Sequence, residues 1–273
     1  MKNVLLTGST GFIGRNVLPL MQTRFAVATP THLELDLSDV PAVRRYLDKG
    51  QFDAVVHMAN PTGKNTQILF EDSLRVFSTL ESCTELFGKM IYIGSGAEYG
   101  KHKDISMVSE STFGKRVPID SYGLSRYIMS KIAERHDNII NLRLFACCGP
   151  SDQPSKLIPH IINSVLNCNY ILLNQDVWFD YLFVEDIFPI LEYFIEKTSI
   201  FRAYNLCSGR RILISTIAEE VRRQMESTAE IVFRKNGLNY EYTASNIRIR
   251  NELPDWRPRS ISDCVRAILE REA

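Results

Sequence analysis

Three glycines, two tyrosines and two cations carry most of the chemistry this sequence offers. The glycines stand at positions 8, 11 and 14 of the run N-V-L-L-T-G-S-T-G-F-I-G, residues 3–14. An apolar strand there passes through a tight turn into an amphipathic helix. Such a turn lets the backbone approach a pyrophosphate, while the helix N-terminus presents free N–H groups and a partial positive charge. A glycine set alone also suits a turn that binds nothing; its place after a strand and before a helix favours binding. Gly8, Thr10, Gly11, Phe12, Ile13 and Gly14 are therefore the candidate dinucleotide-binding residues. The second stretch, S-Y-G-L-S-R-Y-I-M-S-K at 121–131, sets a tyrosine and a cation one helical turn apart. Residues i and i+4 share a helix face, and a cation beside a phenol of pKa about 10 favours the ionised form that acid–base chemistry near neutrality needs. Together the two stretches point to hydride chemistry on a nicotinamide cofactor.

The elements that must position these residues follow from the apolar pattern. Short β-rich runs at 4–6, 25–28, 54–57, 90–93 and 139–145 alternate with helical patterns up to 21, at 40–48, at 66–87 and at 122–135. Strands apolar throughout and separated by helices predict a parallel sheet covered on both faces, doubly wound, with ligands at the carboxyl ends of its strands. The rhythm changes after Gly149-Pro150. Strands are expected at 181–184, 203–206 and 231–233, and helices within 151–174 and at 187–196, 215–225 and 261–270. The expected organisation is a cofactor-binding domain over 1–150, to which the chain returns around 177–209. A small substrate-binding lobe would then comprise 151–176 and 210–273.

Composition narrows the classes. The 273 residues are 45% hydrophobic and 23% charged, with 32 basic side chains against 32 acidic ones. That balance gives no field to recruit nucleic acid or an anionic membrane, and no apolar run approaches the roughly 18 residues of a membrane span. The N-terminal apolar run is short and passes at once into the glycine turn, unlike a signal peptide, so a cytoplasmic location is expected. The six cysteines, at 83, 147, 148, 168, 207 and 264, lack C-x-x-C spacing and read as reduced, buried thiols. The five histidines form no ligand pattern, so no metal site is expected.

The chain resembles the extended short-chain dehydrogenase/reductase superfamily, in its nucleotide-sugar epimerase, dehydratase and reductase branch. The carriers are T-G-S-T-G-F-I-G (7–14), L-D-L (35–37), H-M-A-N (57–60), G-S-G-A-E-Y-G (94–100), Y-G-L-S-R (122–126), R-L-F-A-C-C-G-P (143–150), F-D-Y-L-F-V-E-D (179–186), Y-N-L-C-S-G (204–209) and L-P-D-W-R-P (253–258). The resemblance implies a Rossmann-like doubly wound parallel sheet with a small C-terminal α/β lobe. It makes Ser95 the residue that polarises a substrate oxygen, Tyr122 the proton donor or acceptor, and Arg126 the holder of the nicotinamide ribose, where the family has lysine. Arginine keeps the charge but is planar and bulkier, so it is not equivalent at a close ribose contact. The alternative pair Tyr127 and Lys131 lies five residues on, about 140° around the helix, so both pairs cannot face one cofactor. The Y-G-x-S context selects Tyr122, leaving Tyr127 to packing and Lys131 to solvent.

Other implied contacts are Asp36 and Leu37 at the adenine and Met58 and Ala59 beside the dinucleotide. On the substrate side they are Ser95, Gly96, Ala97, Lys156 and Arg248, the last a candidate for a substrate diphosphate. Several departures shape the chemistry. Gly96 and Ala97 replace the Asp-Glu pair of dehydratases, and Glu98 is one residue too late and expected to point elsewhere along an extended segment. Ala97 and Lys156 occupy the cysteine and histidine positions of double epimerases, and Phe179 and Ala146 those of a substrate-binding Arg and Asn. Reduction of a 4-keto nucleotide sugar is the preferred reading, 4-epimerisation the alternative, and a non-catalytic nucleotide-binding or regulatory protein the reading of another class. The cofactor is NAD(P)(H), with NADP(H) slightly favoured because no acidic residue ends the second strand; no arginine stands there for a 2′-phosphate either, and Arg15 is the candidate to reach one. A homodimer is possible through the apolar faces of 68–80 and 127–132, which equally suit the monomer core.

Overall fold

The computed structural model describes residues 1–61 and 65–272. Its first half alternates strand and helix: β1 (Asn3–Thr7), α1 (Phe12–Gln22), β2 (Ala26–Ala28), α2 (Val40–Gly50), β3 (Phe52–His57), α3 (Thr66–Glu81) and β4 (Phe87–Ser95). After β5 (Ile105–Val108) come α4 (Ser121–Ala133), β6 (Ile139–Leu144), β7 (Ala146–Cys148), α5 (Leu157–Asn167), β8 (Tyr170–Leu173), β9 (Trp178–Phe179), β10 (Tyr181–Phe183), α6 (Phe188–Glu196) and β11 (Ala203–Leu206). The chain closes with β12 (Ile212–Leu213), α7 (Ile214–Gln224), β13 (Glu230–Phe233), β14 (Tyr242–Ala244), α8 (Ile247–Glu252) and α9 (Ile261–Glu272).

Six strands form one sheet in the order β11-β6-β4-β3-β1-β2, all parallel. Alternation along each strand feeds both faces. Val4, Leu6, Val56, Ile91 and Ile93 pack with Val17 and Met21 of α1 and Phe194 of α6. Leu5, Val55, Met90 and Tyr92 pack with Leu47 of α2, Phe77 and Leu80 of α3, and Met129 and Ala133 of α4. Apolar residues at every position are what a sheet covered on both sides requires, and the expected doubly wound α/β fold is what forms. From β1 the chain steps outward to β2 and then to the other side at β3. The β1/β3 boundary is thus the topological switch point, where open α/β sheets bind ligands.

The remaining strands build three smaller sheets: β12-β9-β14-β5, β10-β7 and β13-β8. A second apolar core joins Ile158, Ile161 and Ile162 of α5, Ile217 and Val221 of α7, and Val265 and Ile268 of α9. A small cluster of Tyr99, Ile105, Phe145, Tyr242 and Ala244 lies between the sheets.

Three expectations are corrected. The helix expected over 66–87 ends at Glu81; a 3-10 turn at Thr84–Leu86 follows, and Phe87 already opens β4. The helix is capped at Ser82, the 3-10 turn starts after Cys83, and Phe87, 7% exposed, is buried as a strand residue. Residues 96–99 are a 3-10 turn and not extended. Not every thiol is buried: Cys168, at the C-cap of α5, is exposed and Cys147 is half-buried.

Candidate active site

The glycine turn is shaped by close approach. Gly8 has φ +77°, and a Cβ on it would stand 2.6 Å from the backbone nitrogen of Ala59, so the loops after β1 and β3 touch at the switch point. A Cβ on Gly14 would lie 2.2 Å from the Gly8 carbonyl oxygen. Both positions exclude any side chain on packing grounds alone. Gly11 differs: its nearest neighbour would be that same oxygen at 3.3 Å, with nothing else within 4 Å. Gly11 is also the N-cap of α1, which no side chain caps. The helices α2, α3 and α4, by contrast, are capped by Asp39, Asn65 and Asp120. Thr10 and Gly11 are exposed, while Phe12, Ile13 and Met58 anchor the turn on the core beneath. Asp36 is exposed and accepts from the Ser38 N–H at 2.8 Å and hydroxyl at 2.7 Å, which holds its carboxyl below the usual range. Leu37 packs beside Leu35 on the other side of the sheet.

Ser95 ends β4 and caps the turn Gly96–Tyr99. Its hydroxyl accepts from Ala97 N–H at 3.1 Å, and its own N–H donates to Glu98 Oε1 at 2.9 Å, a reciprocal capping box. Glu98 is fully buried and points inward, away from the site. It accepts from Arg143 Nε at 2.6 Å and from Asn141 Nδ2 at 3.1 Å. Arg143 also donates to Ser130 Oγ at 2.8 Å, so a buried ion pair underlies Ser95 and is satisfied on several sides.

Tyr122 stands in the first turn of α4 with 46% of its surface exposed. The adjoining Gly123 is required there, since a Cβ on it would lie 3.0 Å from the Ala97 carbonyl oxygen; α4 thus docks against the Ser95 turn. A narrow cavity of about 80 Å³ opens beside Tyr122, lined in part by Asn60, Ser121 and Ser125. Arg126 is 5% exposed and its guanidinium carbon lies 5.3 Å from the Tyr122 ring centroid. It donates to Asn60 Oδ1 and reaches Met129 Sδ at 3.9 Å, but its buried Nε has no partner among the described residues. Burial pulls the Arg126 pKa down. Tyr122, Tyr92 and Glu98 outweigh it and hold the Arg126 pKa above the usual arginine value. Buried His57, whose Nδ1 lies 2.8 Å from Thr7 Oγ1, is pushed down to about 3 by desolvation and by the Arg126 charge, so it is neutral near pH 7.

Tyr127 packs on Phe113, with centroids 5.0 Å apart, and Lys131 pairs with Glu134 at 3.0 Å. Phe77, Leu80 and Met129 of the two apolar faces go to the core, while Ile68 is 53% exposed. Lys156 is exposed at the N-cap of α5. Arg248 donates to the Ala203 carbonyl at 3.1 Å, lies 3.7 Å from Glu110 and covers the Phe201 ring at 4.1 Å. Three residues of this site were not singled out from the sequence. Asn60, inside H-M-A-N, holds Arg126. Tyr242, from β14, sets its hydroxyl over Gly96, where a Cβ would stand 2.6 Å away. Lys101 places its ammonium 5.8 Å from the ring centroids of both Tyr122 and Tyr242. Lys101 directly follows the G-S-G-A-E-Y-G motif, which was the one available signal; nothing in the sequence marks Tyr242.

A glycine turn at the switch point, with serine on the fourth strand and Tyr-x-x-x-cation on the next helix, is the arrangement of the extended short-chain dehydrogenases/reductases. More narrowly, residues 4–207 match the model of the NAD dependent epimerase/dehydratase family, and the chain belongs to that family. It is 27% identical over 222 residues to the GDP-6-deoxy-D-talose 4-dehydrogenase of Aggregatibacter actinomycetemcomitans, covering 76% of this chain and 74% of that one. To the GDP-6-deoxy-D-mannose reductase of Pseudomonas aeruginosa it is 22% identical over 307 residues, covering 98% and 96%. The solved structure of Pseudomonas aeruginosa RMD complexed with NADPH superposes with a TM-score of 0.84 at 21% identity, covering 99% of each chain. No helix among the described residues is long and apolar enough to cross a membrane.

Proposed function

We propose that this protein reduces a 4-keto nucleotide sugar, of the GDP-linked class named for the talose and mannose enzymes it resembles, with NADP(H) as cofactor. The observation that carries the reading is the juxtaposition of an uncapped helix N-terminus, Ser95 and a Tyr122–Arg126 pair at the carboxyl edge of one sheet. The residues present fit a dinucleotide. The space around Gly11 is open, with only the Gly8 oxygen within 4 Å of a Cβ there, the first N–H groups of α1 lack a side-chain acceptor among the described residues, and Arg126 Nε is a buried donor awaiting one. Gly8, Gly11 and Gly14 would seat the pyrophosphate, Asp36 the adenine edge, and Arg126 the ribose of the nicotinamide half. Exposed Arg15, in the first turn of α1 and without an ion pair among the described residues, supports NADP(H) over NAD(H). When bound, the cofactor supplies the hydride.

The chain's own residues then handle the oxygen. The Ser95 hydroxyl donates to the sugar carbonyl oxygen and polarises it. Tyr122 gives its phenolic proton to the alkoxide as that forms, and the nearby Arg126 charge stabilises the negative charge left on Tyr122. Residues 1–150 with the returning segment 177–209 would carry the cofactor, and 151–176 with 210–273 the substrate. Pairing of two copies through α3 and α4, around exposed Ile68, and a cytoplasmic location complete the reading.

The test is NADPH oxidation by a GDP-4-keto-6-deoxyhexose, measured for the wild type and for Tyr122→Phe. Turnover should fall about 10²–10⁴-fold in the variant while NADPH affinity is kept. Equal rates in the two proteins would remove Tyr122 from the chemistry. Native mass spectrometry of the purified protein separates the neighbouring activity: firmly retained NAD, which an epimerase recycles, would count against reduction.

A further inference from the structure

A buried arginine must find acceptors for its N–H groups, because burying an unpaired charge is costly. Arg126 is 5% exposed, and among the described residues its guanidinium has two hydrogen-bond partners. One is Met129 Sδ at 3.9 Å, and a thioether sulfur is a weak acceptor. The other is Asn60 Oδ1, to which Nη2 donates. Asn60 is thus the one strong acceptor on this cation among the described residues, and no carboxylate among them lies in ion-pair contact with it.

The amide is itself held in place. It stands just beyond the end of β3, where Met58 N–H donates to the Thr7 carbonyl at 3.1 Å and Ala59 N–H to Thr7 Oγ1 at 3.4 Å. The Ala59 nitrogen is also the atom that a Cβ on Gly8 would meet, at 2.6 Å. Asn60 therefore ties the loop packed on the glycine turn to the helix that carries Tyr122. On that helix the Arg126 guanidinium carbon lies 5.3 Å from the Tyr122 ring centroid.

Side-chain length decides why the acceptor matters. A lysine at 126 would end its charge one bond short of Nη2, as a compact ammonium whose donors rotate freely. Arginine spreads its charge over a flat fork whose donors point in fixed directions, so it needs an acceptor in a fixed place.

We infer that Asn60 is the positioning residue for Arg126, and that this pair allows arginine to stand where the family has lysine. By taking one end of the guanidinium, Asn60 keeps the charge against the Tyr122 ring. Without it the fork loses its anchor, and the charge that Tyr122 relies on when it gives up its proton is no longer fixed. The inference rests on the roles proposed above for Tyr122 and Arg126.

The experiment is a cycle of four proteins: wild type, Asn60→Ala, Arg126→Lys and the double variant. In turnover of a GDP-4-keto-6-deoxyhexose with NADPH, Asn60→Ala should lower kcat about 10-fold, the equivalent of one hydrogen bond to a charged group. With lysine at 126 the same change should lower kcat less than about 2-fold, since the interaction it removes is already absent. A similar loss in both backgrounds, or no loss beside Arg126, overturns the proposal and leaves Asn60 as a loop residue. Thermal unfolding of the four proteins reads the contact without any turnover: non-additive shifts in Tm support it and additive shifts overturn it. Arg126→Met, which removes every donor, supplies a second background for the same unfolding cycle. A wild type that turns over no such sugar would sink the functional reading, and the unfolding cycles would still decide whether Asn60 holds Arg126.

Discussion

The turn under α1 and the tier under Ser95 lie on the same edge of one sheet and treat their polar groups in opposite ways. Around Gly11 the helix end is bare, exposed and uncapped. Beneath Ser95 the charges are answered, Glu98 by Arg143 and Asn141 and Arg143 by Ser130, while Tyr99 donates to Asn205 at 2.7 Å; among the described residues only the Asn141 Oδ1 of this tier lacks a partner. On the proposed function, the open donors are where a dinucleotide would complete the structure, and the closed network is what would hold Ser95 before any ligand arrives. Arg126 sits between the two regimes, with Asn60 on one nitrogen and nothing on Nε.

The contrast can be broken most severely in the closed tier. Arg143→Met strands the Glu98 carboxylate in the interior, and we expect a loss of about 3–5 kcal/mol in denaturant unfolding. A change under about 1 kcal/mol would mean that the pair does not hold the Ser95 turn. In the open region two glycines should part company. Gly14→Ala forces a methyl into the Gly8 carbonyl and should destabilise by about 1–3 kcal/mol or more. Gly11→Ala should keep stability within about 1 kcal/mol and weaken dinucleotide binding by calorimetry about 10-fold or more. Equal effects of the two would erase the distinction between scaffold and cradle.

A pH series sharpens the comparison further. His57 binds its proton at about 3 in the folded protein, against about 6.5 when unfolded. The unfolded chain therefore takes up the proton first, and the stability that neutral burial confers is lost as pH falls through that window, by about 1.4 kcal/mol per unit. His57→Asn should flatten that slope in unfolding measured between pH 6 and 4. The smallest effect belongs to Asp120→Ala. Removing this cap, which accepts from Gly123 N–H at 2.8 Å, should cost about 1 kcal/mol and leave dinucleotide affinity untouched.

The parallel sheet could be read from sequence because Val4, Leu5 and Leu6, and likewise Val55 and Val56, are apolar on both faces, a pattern that only a doubly covered strand needs. The glycine turn and the Tyr122 stretch could be proposed from local spacing, and Ser95 from the resemblance alone. The short strands β5, β7, β8, β9, β12 and β14 escaped the reading: two to four residues hold little periodicity, and unlike β2, β10, β11 and β13 they were not set apart as apolar runs between expected helices. With β14 went Tyr242, which reaches Gly96 from a distant segment. The inward turn of Glu98 was hidden for a related reason, since a 3-10 turn of four residues looks the same as a strand end until Arg143 is seen to wait beneath it.

The position of β11 has a consequence for synthesis. Strands β1 to β4 and β6 of the main sheet are complete in sequence by Leu144, but β6 stays an open edge until Ala203–Leu206 pairs with it and the Arg202 carbonyl accepts the Asn141 N–H at 2.8 Å. A chain stopped before that point presents Ile140 and Leu142 on an unpaired ladder, the kind of edge that recruits other chains. For this protein, the last seventy or so residues follow a sheet that has only just lost its most adhesive border.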